Sequence, residues 1–380
     1  MSSPPLKIAI VHDWLVSYRG GEKVVEAIAE LFPGADFFTL FHRPGTVGTE
    51  LEQRKITTSF LNKLPFAHSH HRHFLPLMPL AIESFDMNGY DLIISSSHCV
   101  AKGIIPGPDA VHICYCHTPM RYAWDKRREY FRSAWQRILA APILHYLRMW
   151  DVTSSRRVDS FIANSHWVGK RIQKYYGRPS QVVFPFVDDF FLAPSDQPRE
   201  DFYLVVSGFA PYKRIDLAID ACTRLRKRLV VVGSGQDRKR LEKLVSPHIE
   251  FAGQVAPSEL RRLYQTARAL LFPGEEDFGI SPLEAMAAGC PIIAYGKGGL
   301  TETVKEGETG LFFKEQTAES LGQAITIFET NRFPITPNAC RKRAAEFSKA
   351  RFQREFLSHL ERVLGQKLSS PMVKVEIPPA

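Results

Sequence analysis

Two series of short apolar runs, each run followed by a stretch of helical period, constrain this chain more than any other feature. The first series is Lys7–His12 (KIAIVH), Asp91–Ser95 (DLIIS), Val111–Tyr115 (VHICY) and Ser160–Ala163 (SFIA). The second follows the proline-containing stretch Pro179–Pro198 and comprises Tyr203–Ser207 (YLVVS), Leu229–Val232 (LVVV), Ile249–Ala252 (IEFA), Ala269–Phe272 (ALLF) and Pro291–Ala294 (PIIA). Strands apolar on both faces belong in parallel sheets covered by helices on both sides. At 380 residues the chain also exceeds the length over which one core keeps growing. The prediction is an α/β protein of two doubly wound halves, with a hinge near residues 185–200. Ligands bind such sheets beyond the carboxyl ends of the strands, so two facing halves make a cleft suited to a two-substrate reaction.

A composition of 44% apolar and 23% charged residues fits a globular chain and excludes disorder. Six cysteines, thinly spread, are read as packing residues in a reducing compartment. The start, MSSPPLKIAIVHDW, passes directly into a strand and shows no secretory leader. No apolar run reaches the ~18 residues that a membrane span requires. The expectation is a cytoplasmic protein, peripheral on the inner face of the cell membrane at most.

The net charge of +9 is concentrated: residues 121–178 hold 13 Lys or Arg against four acids, a surplus of nine. Within this region Trp124, Tyr130, Phe131, Trp135, Ile138, Leu139, Ile143, Leu144 and Leu147 alternate with arginines, the composition of an interfacial amphipathic helix and equally of one packed on a sheet. Pro142 is expected to interrupt any single long helix there. Residues 121–178 are thus a candidate membrane-surface contact, and no nucleic acid is expected as a partner.

Chemistry concentrates in FPGEEDFGISPLEAMAAGCPIIA, residues 272–294. A strand ends at Phe272, an acidic glycine loop follows, and a short helix is expected from about Pro282 to Gly289. Glu276 and Glu284, seven residues apart, are placed to accept hydrogen bonds from sugar hydroxyls in one pocket. Ser281-Pro-Leu-Glu284 is also a capping-box pattern, in which Glu284 would merely close the helix. Free amides at this helix start, over Phe278, Gly279, Ile280 and Ser281, would favour an anionic phosphate.

This segment resembles the E-x7-E motif of the retaining family 4 glycosyltransferases, with its E-x-F-G start and L-E-A-M-A-x-G continuation, and the resemblance extends over nearly all of the chain. It implies the GT-B fold, two Rossmann-like domains facing across a cleft: residues 1–185 binding the acceptor, 186–350 binding a nucleotide sugar, and 351–380 a helix returning to the first domain, then a flexible tail. It also implies that Glu276 contacts the transferred hexose, that Glu284 holds the ribose hydroxyls, and that no metal or other cofactor takes part.

Four further segments carry candidates. In SGFAPYKRIDLAIDA, residues 207–221, Gly208 follows a strand, and Lys213 and Arg214 are placed to neutralise a leaving diphosphate. Members of the family usually carry G-R-L-x-x-x-K; this chain keeps Lys213 but has Phe209 where the arginine is expected, so the clamp is incomplete unless Arg214 substitutes. Gly20 and Gly21 follow the first strand as a plain turn or, by the resemblance, as part of the cleft, and Asp13 at that strand's end is an acceptor candidate. YCHTPMRYAWD resembles the C-H-T-P-M-R-Y-x-W-D segment of mannosyltransferases that build bacterial surface polysaccharides, which makes His117, Arg121 and Trp124 site candidates and GDP-mannose the favoured donor. Gly233-Ser-Gly235 lacks the third glycine of a dinucleotide fingerprint. By the resemblance Gly233 and Val255 line the nucleotide instead.

His68, His70, His71 and His73 have no cysteine partners and no metal-site spacing. The expected activity is retaining transfer of a hexose to a glycolipid or oligosaccharide acceptor. A GT-B sugar-nucleotide epimerase and a non-catalytic nucleotide-sugar-binding protein are the alternatives.

Overall fold

In the computed structural model, which describes residues 6–195, 197–244, 246–330 and 333–367, every apolar run of the sequence becomes a strand of one of two parallel sheets. The first holds β1 (Ile8–His12), β2 (Asp36–Thr39), β3 (Ile56–Thr58), β4 (Leu92–Ser97), β5 (Val111–Cys116), β6 (Ser160–Ala163) and β7 (Ser180–Val182), in the order β3-β2-β1-β4-β5-β6-β7. The second holds β8 (Tyr203–Val206), β9 (Leu229–Val232), β10 (Ile249–Gly253), β11 (Ala269–Phe272), β12 (Ile292–Tyr295) and β13 (Gly310–Phe313), in the order β10-β9-β8-β11-β12-β13. Both orders reverse direction once, between β1 and β4 and between β8 and β11, and beyond the carboxyl ends of those strands a doubly wound sheet opens its ligand crevice.

β2, β3 and β7 escape the sequence reading because polar residues break their three or four positions, and the apolar GLFF of β13 escapes it as well. β7 lies inside the proline-containing stretch read as a connection.

Helices cover both faces of each sheet. In the first lobe one core joins Ile10, Ile94 and Ile113 to Val24 and Ile28 of the Gly20–Leu31 helix. The same core takes in Phe352, Phe356, Leu360 and Leu364 from the Lys349–Lys367 helix, so the last described helix seats on the sheet of the first lobe. The tail expected after it lies outside the described residues. The second lobe packs Leu270 and Ile292 against Leu283 and Met286 of the Ile280–Ala287 helix.

Two expectations are corrected. Pro142 does not interrupt its helix, which runs unbroken from Ala134 to Ser155, opened by a capping box between Ser133 and Gln136. The helix after the acidic loop begins at Ile280, not near Pro282: Gly279, at φ +93°, turns the chain into it, a conformation costly for residues with a Cβ. Glu284 therefore sits in the second turn and closes no capping box.

Candidate active site

The carboxyl end of β11 carries the loop Pro273–Gly279, and three successive acids in it meet cations from both lobes. Glu275 accepts from Lys126 Nζ at 2.9 Å, with Lys297 at 3.4 Å. Glu276 pairs with Lys213 from the turn after β8, and Arg121 of the first lobe stands 3.9 Å from its other oxygen. Asp277 takes Arg171 at 2.8 Å and Arg121 Nε at 3.1 Å. Arg121 also lies over the Tyr212 ring, 5.1 Å from its centroid, and its buried Nη1 has no hydrogen-bond partner among the described residues. The surplus charge of residues 121–178 is thus partly internal, spent on joining the lobes.

Loop geometry fixes these acids. Glu276 bridges to Gly298, and the Gly299 amide donates to its carbonyl at 2.8 Å. Gly298 adopts φ +89°, and a Cβ there would overlap the Glu276 carbonyl oxygen, so the backbones approach as only glycine allows.

Opposite this loop the first lobe presents a chain of neutral imidazoles. His12 Nδ1 lies 3.1 Å from the Ser96 carbonyl, which only accepts, so that nitrogen carries the proton. Ser96 Oγ lies 3.0 Å from the same nitrogen and 2.8 Å from His117 Nε2, so the hydroxyl links the two rings. Burial, with His98 adding to it, lowers the pKa of both His12 and His117 to about 3. His117 is therefore neutral near pH 7.

His12 and His112, both fully buried with pKa values lowered to about 3 and about 4 by desolvation, give a pH prediction. Each folded value lies below the unfolded ~6.5, so their contribution is complete above that pH and is lost as pH falls. Between pH ~6 and ~4 the unfolded chain binds about two more protons, a loss of ~3 kcal/mol per pH unit. Thermal melts followed by circular dichroism should show Tm falling steeply over that window; a Tm unchanged down to pH 4 contradicts it.

Glu284 is buried on the cleft side of its helix, 3.6 Å from Lys23 Nζ and 3.5 Å from the Tyr264 hydroxyl. Burial raises its pKa, and Lys23 opposes the rise. The amides of Ile280 and Ser281, both half-buried, begin the same helix without a side-chain cap. Gly20 packs so closely on Ile280 that a Cβ there would overlap its Cδ1, and a Cβ on Gly21 would lie 3.9 Å from the His117 ring. Two helix starts, one from each lobe, thus meet at the cleft.

Other candidates have different work. Asp13 is fully buried and accepts the amides of His98, Cys99, Val100 and Ala101 at 2.6–2.9 Å, so it fixes the loop after β4 and offers no surface to an acceptor. Trp124 donates to Asp151 at 2.8 Å and stacks on Tyr175 at 4.6 Å, a packing role. Phe278 is core, 6.0 Å from Phe184 and 5.9 Å from Phe347, leaving its backbone alone for a ligand. Arg214 holds Asp216 of its own helix at 3.3 Å and does not join Lys213. Gly233 abuts the Ser207 carbonyl and shapes the turn that carries half-buried Gly208. Val255 is half-buried at the edge of the second-lobe core.

Sequence reasoning missed Lys23, Tyr212, Arg171 and Asp277. Asp277 stands inside the motif, and Lys23 two residues beyond the glycine pair, so both adjoin readable signals; nothing local marks Arg171 or Tyr212.

Residues 18–189 match the family model Glycosyltransferase Family 4, and residues 190–347 match Glycosyl transferases group 1. A glycogen synthase of Xanthomonas campestris pv. campestris is 28% identical over 209 residues, 51% of this chain and 41% of that protein. D-inositol 3-phosphate glycosyltransferase of Kribbella flavida is 30% identical over 221 residues, 50% of this chain and 52% of that one. The aligned region thus spans about half the length of these relatives or less. Among solved structures, sucrose-phosphate synthase of Thermosynechococcus elongatus superposes with a TM-score of 0.72 at 18% identity, covering 95% of this chain and 100% of that one. Anabaena HepE in complex with UDP-glucose gives 0.66 at 16% identity, covering 93% and 99%. At such identities the likeness speaks for the fold. With both family domains in tandem on two facing doubly wound lobes, the chain belongs to the GT-B glycosyltransferases of the family 4 and group 1 type.

Proposed function

We propose that the protein is a retaining, metal-independent hexosyltransferase that moves a hexose, mannose from GDP-mannose in the favoured case, to a glycolipid or oligosaccharide acceptor. One observation carries the reading: Glu276, Lys213, Glu284, His117 and Arg121, from separate segments of both lobes, converge on one cleft. Related folds fit it, since HepE was solved with UDP-glucose and WaaB is a lipopolysaccharide outer core galactosyltransferase.

In this reading Glu284 holds the ribose hydroxyls, displacing Lys23, and the Ile280 and Ser281 amides meet the phosphates. Lys213 leaves Glu276 for the diphosphate and stabilises it as its bond to the sugar anomeric carbon breaks. Glu276, so released, accepts from the hexose hydroxyls, and the neutral His117 ring hydrogen-bonds to another. The acceptor hydroxyl attacks on the face the diphosphate leaves, and the departing phosphate oxygen takes its proton, so configuration is retained. The buried Phe209 favours a second reading, a nucleotide-sugar-binding protein without turnover.

The test mixes purified protein with labelled GDP-mannose, UDP-glucose and UDP-N-acetylglucosamine, with and without a polyprenyl-linked acceptor. Acceptor-dependent nucleotide release with an α-linked product supports transfer. An altered free sugar supports epimerisation, and binding without release the second reading.

A membrane contact belongs to the same proposal. No helix among the described residues is long and apolar enough to cross a membrane. The Ala134–Ser155 helix nevertheless exposes Trp135 at 74%, Leu139 at 73% and Ile138 at 60%, with Ile143, Tyr146 and Met149 along the same stripe and exposed Arg128 ahead of it. An apolar stripe beside cations suits an anionic lipid surface. Trp135→Glu with Leu139→Glu should remove the protein from sedimenting phosphatidylglycerol vesicles, since each lost anchor is worth about 1.5–3 kcal/mol, while activity on a soluble acceptor persists. Unchanged sedimentation excludes this face.

A further inference from the structure

We propose that Arg19, reaching from the first lobe, is the second cation on the donor diphosphate, in the place left open by Phe209. The inference rests on the donor-site reading above.

A diphosphate carries about two negative charges near neutral pH, and of the cations in the turn after β8, Lys213, which exchanges Glu276 for the donor in this reading, is the one placed to meet them. Phe209 is 2% exposed, packed in the core against Phe251. Arg214, the nearest substitute in sequence, is held by Asp216 through both Nε and Nη2. Arg121 already has Asp277 and the Tyr212 ring.

Arg19 differs from all of these. It immediately precedes the Gly20–Leu31 helix, with extended backbone at φ −128° and ψ −170°, and its amide is tied to Glu22 Oε2 at 3.0 Å. That tie sets the direction of the residue while leaving its side chain exposed. Among the described residues its guanidinium forms no close ion pair and acts on the Glu22 carboxylate only at longer range, whereas Arg121 and Arg171 each hold a carboxylate across the lobes. It crosses to the other lobe: a Cβ built on Gly208 would stand 3.7 Å from Arg19 Nη1. Gly208 is the residue just before Phe209, so the guanidinium occupies the mouth of the very turn whose later residue is Lys213.

The neighbours of Arg19 point the same way. Gly20 touches Ile280 at the start of the facing helix, Gly21 lies by His117, and Lys23 reaches Glu284. Residues 19–23 are therefore turned across the cleft as a unit. A guanidinium over two converging helix starts gives a bidentate, permanently charged partner for phosphate oxygens. It also makes donor binding depend on lobe closure, because the two cations come from opposite lobes.

The test uses calorimetric binding of GDP and UDP, and of guanosine and uridine, to wild type, Arg19→Ala, Arg19→Lys and Lys213→Ala. Arg19→Ala should weaken the diphosphate that wild type prefers by about 10- to 100-fold and leave its nucleoside unchanged, with Arg19→Lys between, the range for a charge-assisted hydrogen bond. Diphosphate affinity unchanged in Arg19→Ala but reduced in Lys213→Ala overturns the role of Arg19 and spares the donor site. Wild type that binds neither diphosphate nor nucleoside overturns the donor-site reading, and this inference with it. Circular dichroism melts confirm that each variant is folded.

Discussion

Replacing Lys213 by alanine is expected to lower kcat by about 10²–10³-fold while changing the donor KM far less. The amine is placed without slack. The turn Pro211–Lys213 is closed by the Lys213 amide on the Ala210 carbonyl at 3.0 Å, and Gly274 packs against its backbone. Its Nζ lies on Glu276, 5.3 Å from the Tyr212 ring centroid and 5.8 Å from that of Phe272. Once moved from Glu276 onto the bound diphosphate, a cation on a fixed turn meets the charge that develops as the bond breaks, which is why its loss acts on the transition state more than on the ground state. Steady-state kinetics with the donor identified above check this. A kcat within about threefold of wild type would mean that the diphosphate departs elsewhere.

The largest stability effect should come from Arg171→Ala, about 3–5 kcal/mol. Arg171 is buried, with Nη1 on Asp277 of the other lobe at 2.8 Å and on the Thr118 hydroxyl at 2.7 Å, and Nη2 on Asp125 at 2.6 Å. Removing it leaves the Asp277 carboxylate desolvated, with Arg121 alone opposite. Ser165 donates to the Asp277 carbonyl at 2.5 Å, so the acidic loop is anchored to the first lobe by backbone as well as by charge. Urea denaturation should show the loss, and Arg171→Ala with Asp277→Asn should recover part of it, because the orphaned charge is then gone. A single variant as stable as wild type would show that the lobes are joined by other contacts.

Central strands were legible because residues buried on both faces are mostly apolar: β8, β9, β11 and β12 are short apolar runs, and β1, β4 and β5 show enough of one despite buried His12, Ser95, Ser96, Ser97 and His112. Edge strands such as Ile56–Thr58 and Ser180–Val182 need not, and did not show. For the site, Glu276, Lys213 and His117 were read from motif resemblance together with their places after strand ends, and the structure brings them to one cleft. Position alone misled at Asp13, where the chain spends a cleft-side carboxylate on four loop amides. Whether Glu284 was a cap or free to face the cleft hung on where the helix starts, which the backbone of Gly279 decides. Lys23 and Arg171 went unread for another reason: Glu284 and Asp277, their partners in the other lobe, lie over 100 residues away, and only docking of the two lobes gives those charges meaning.

A crystal structure with an intact, slowly reacting sugar-nucleotide donor puts the central claim to its most direct trial. It should show ribose hydroxyls on the Glu284 carboxylate, phosphate oxygens on Lys213, and the hexose between Glu276 and His117. Donor bound outside this cleft, or within it with Glu276 still paired to Lys213 and Glu284 to Lys23, would contradict the account.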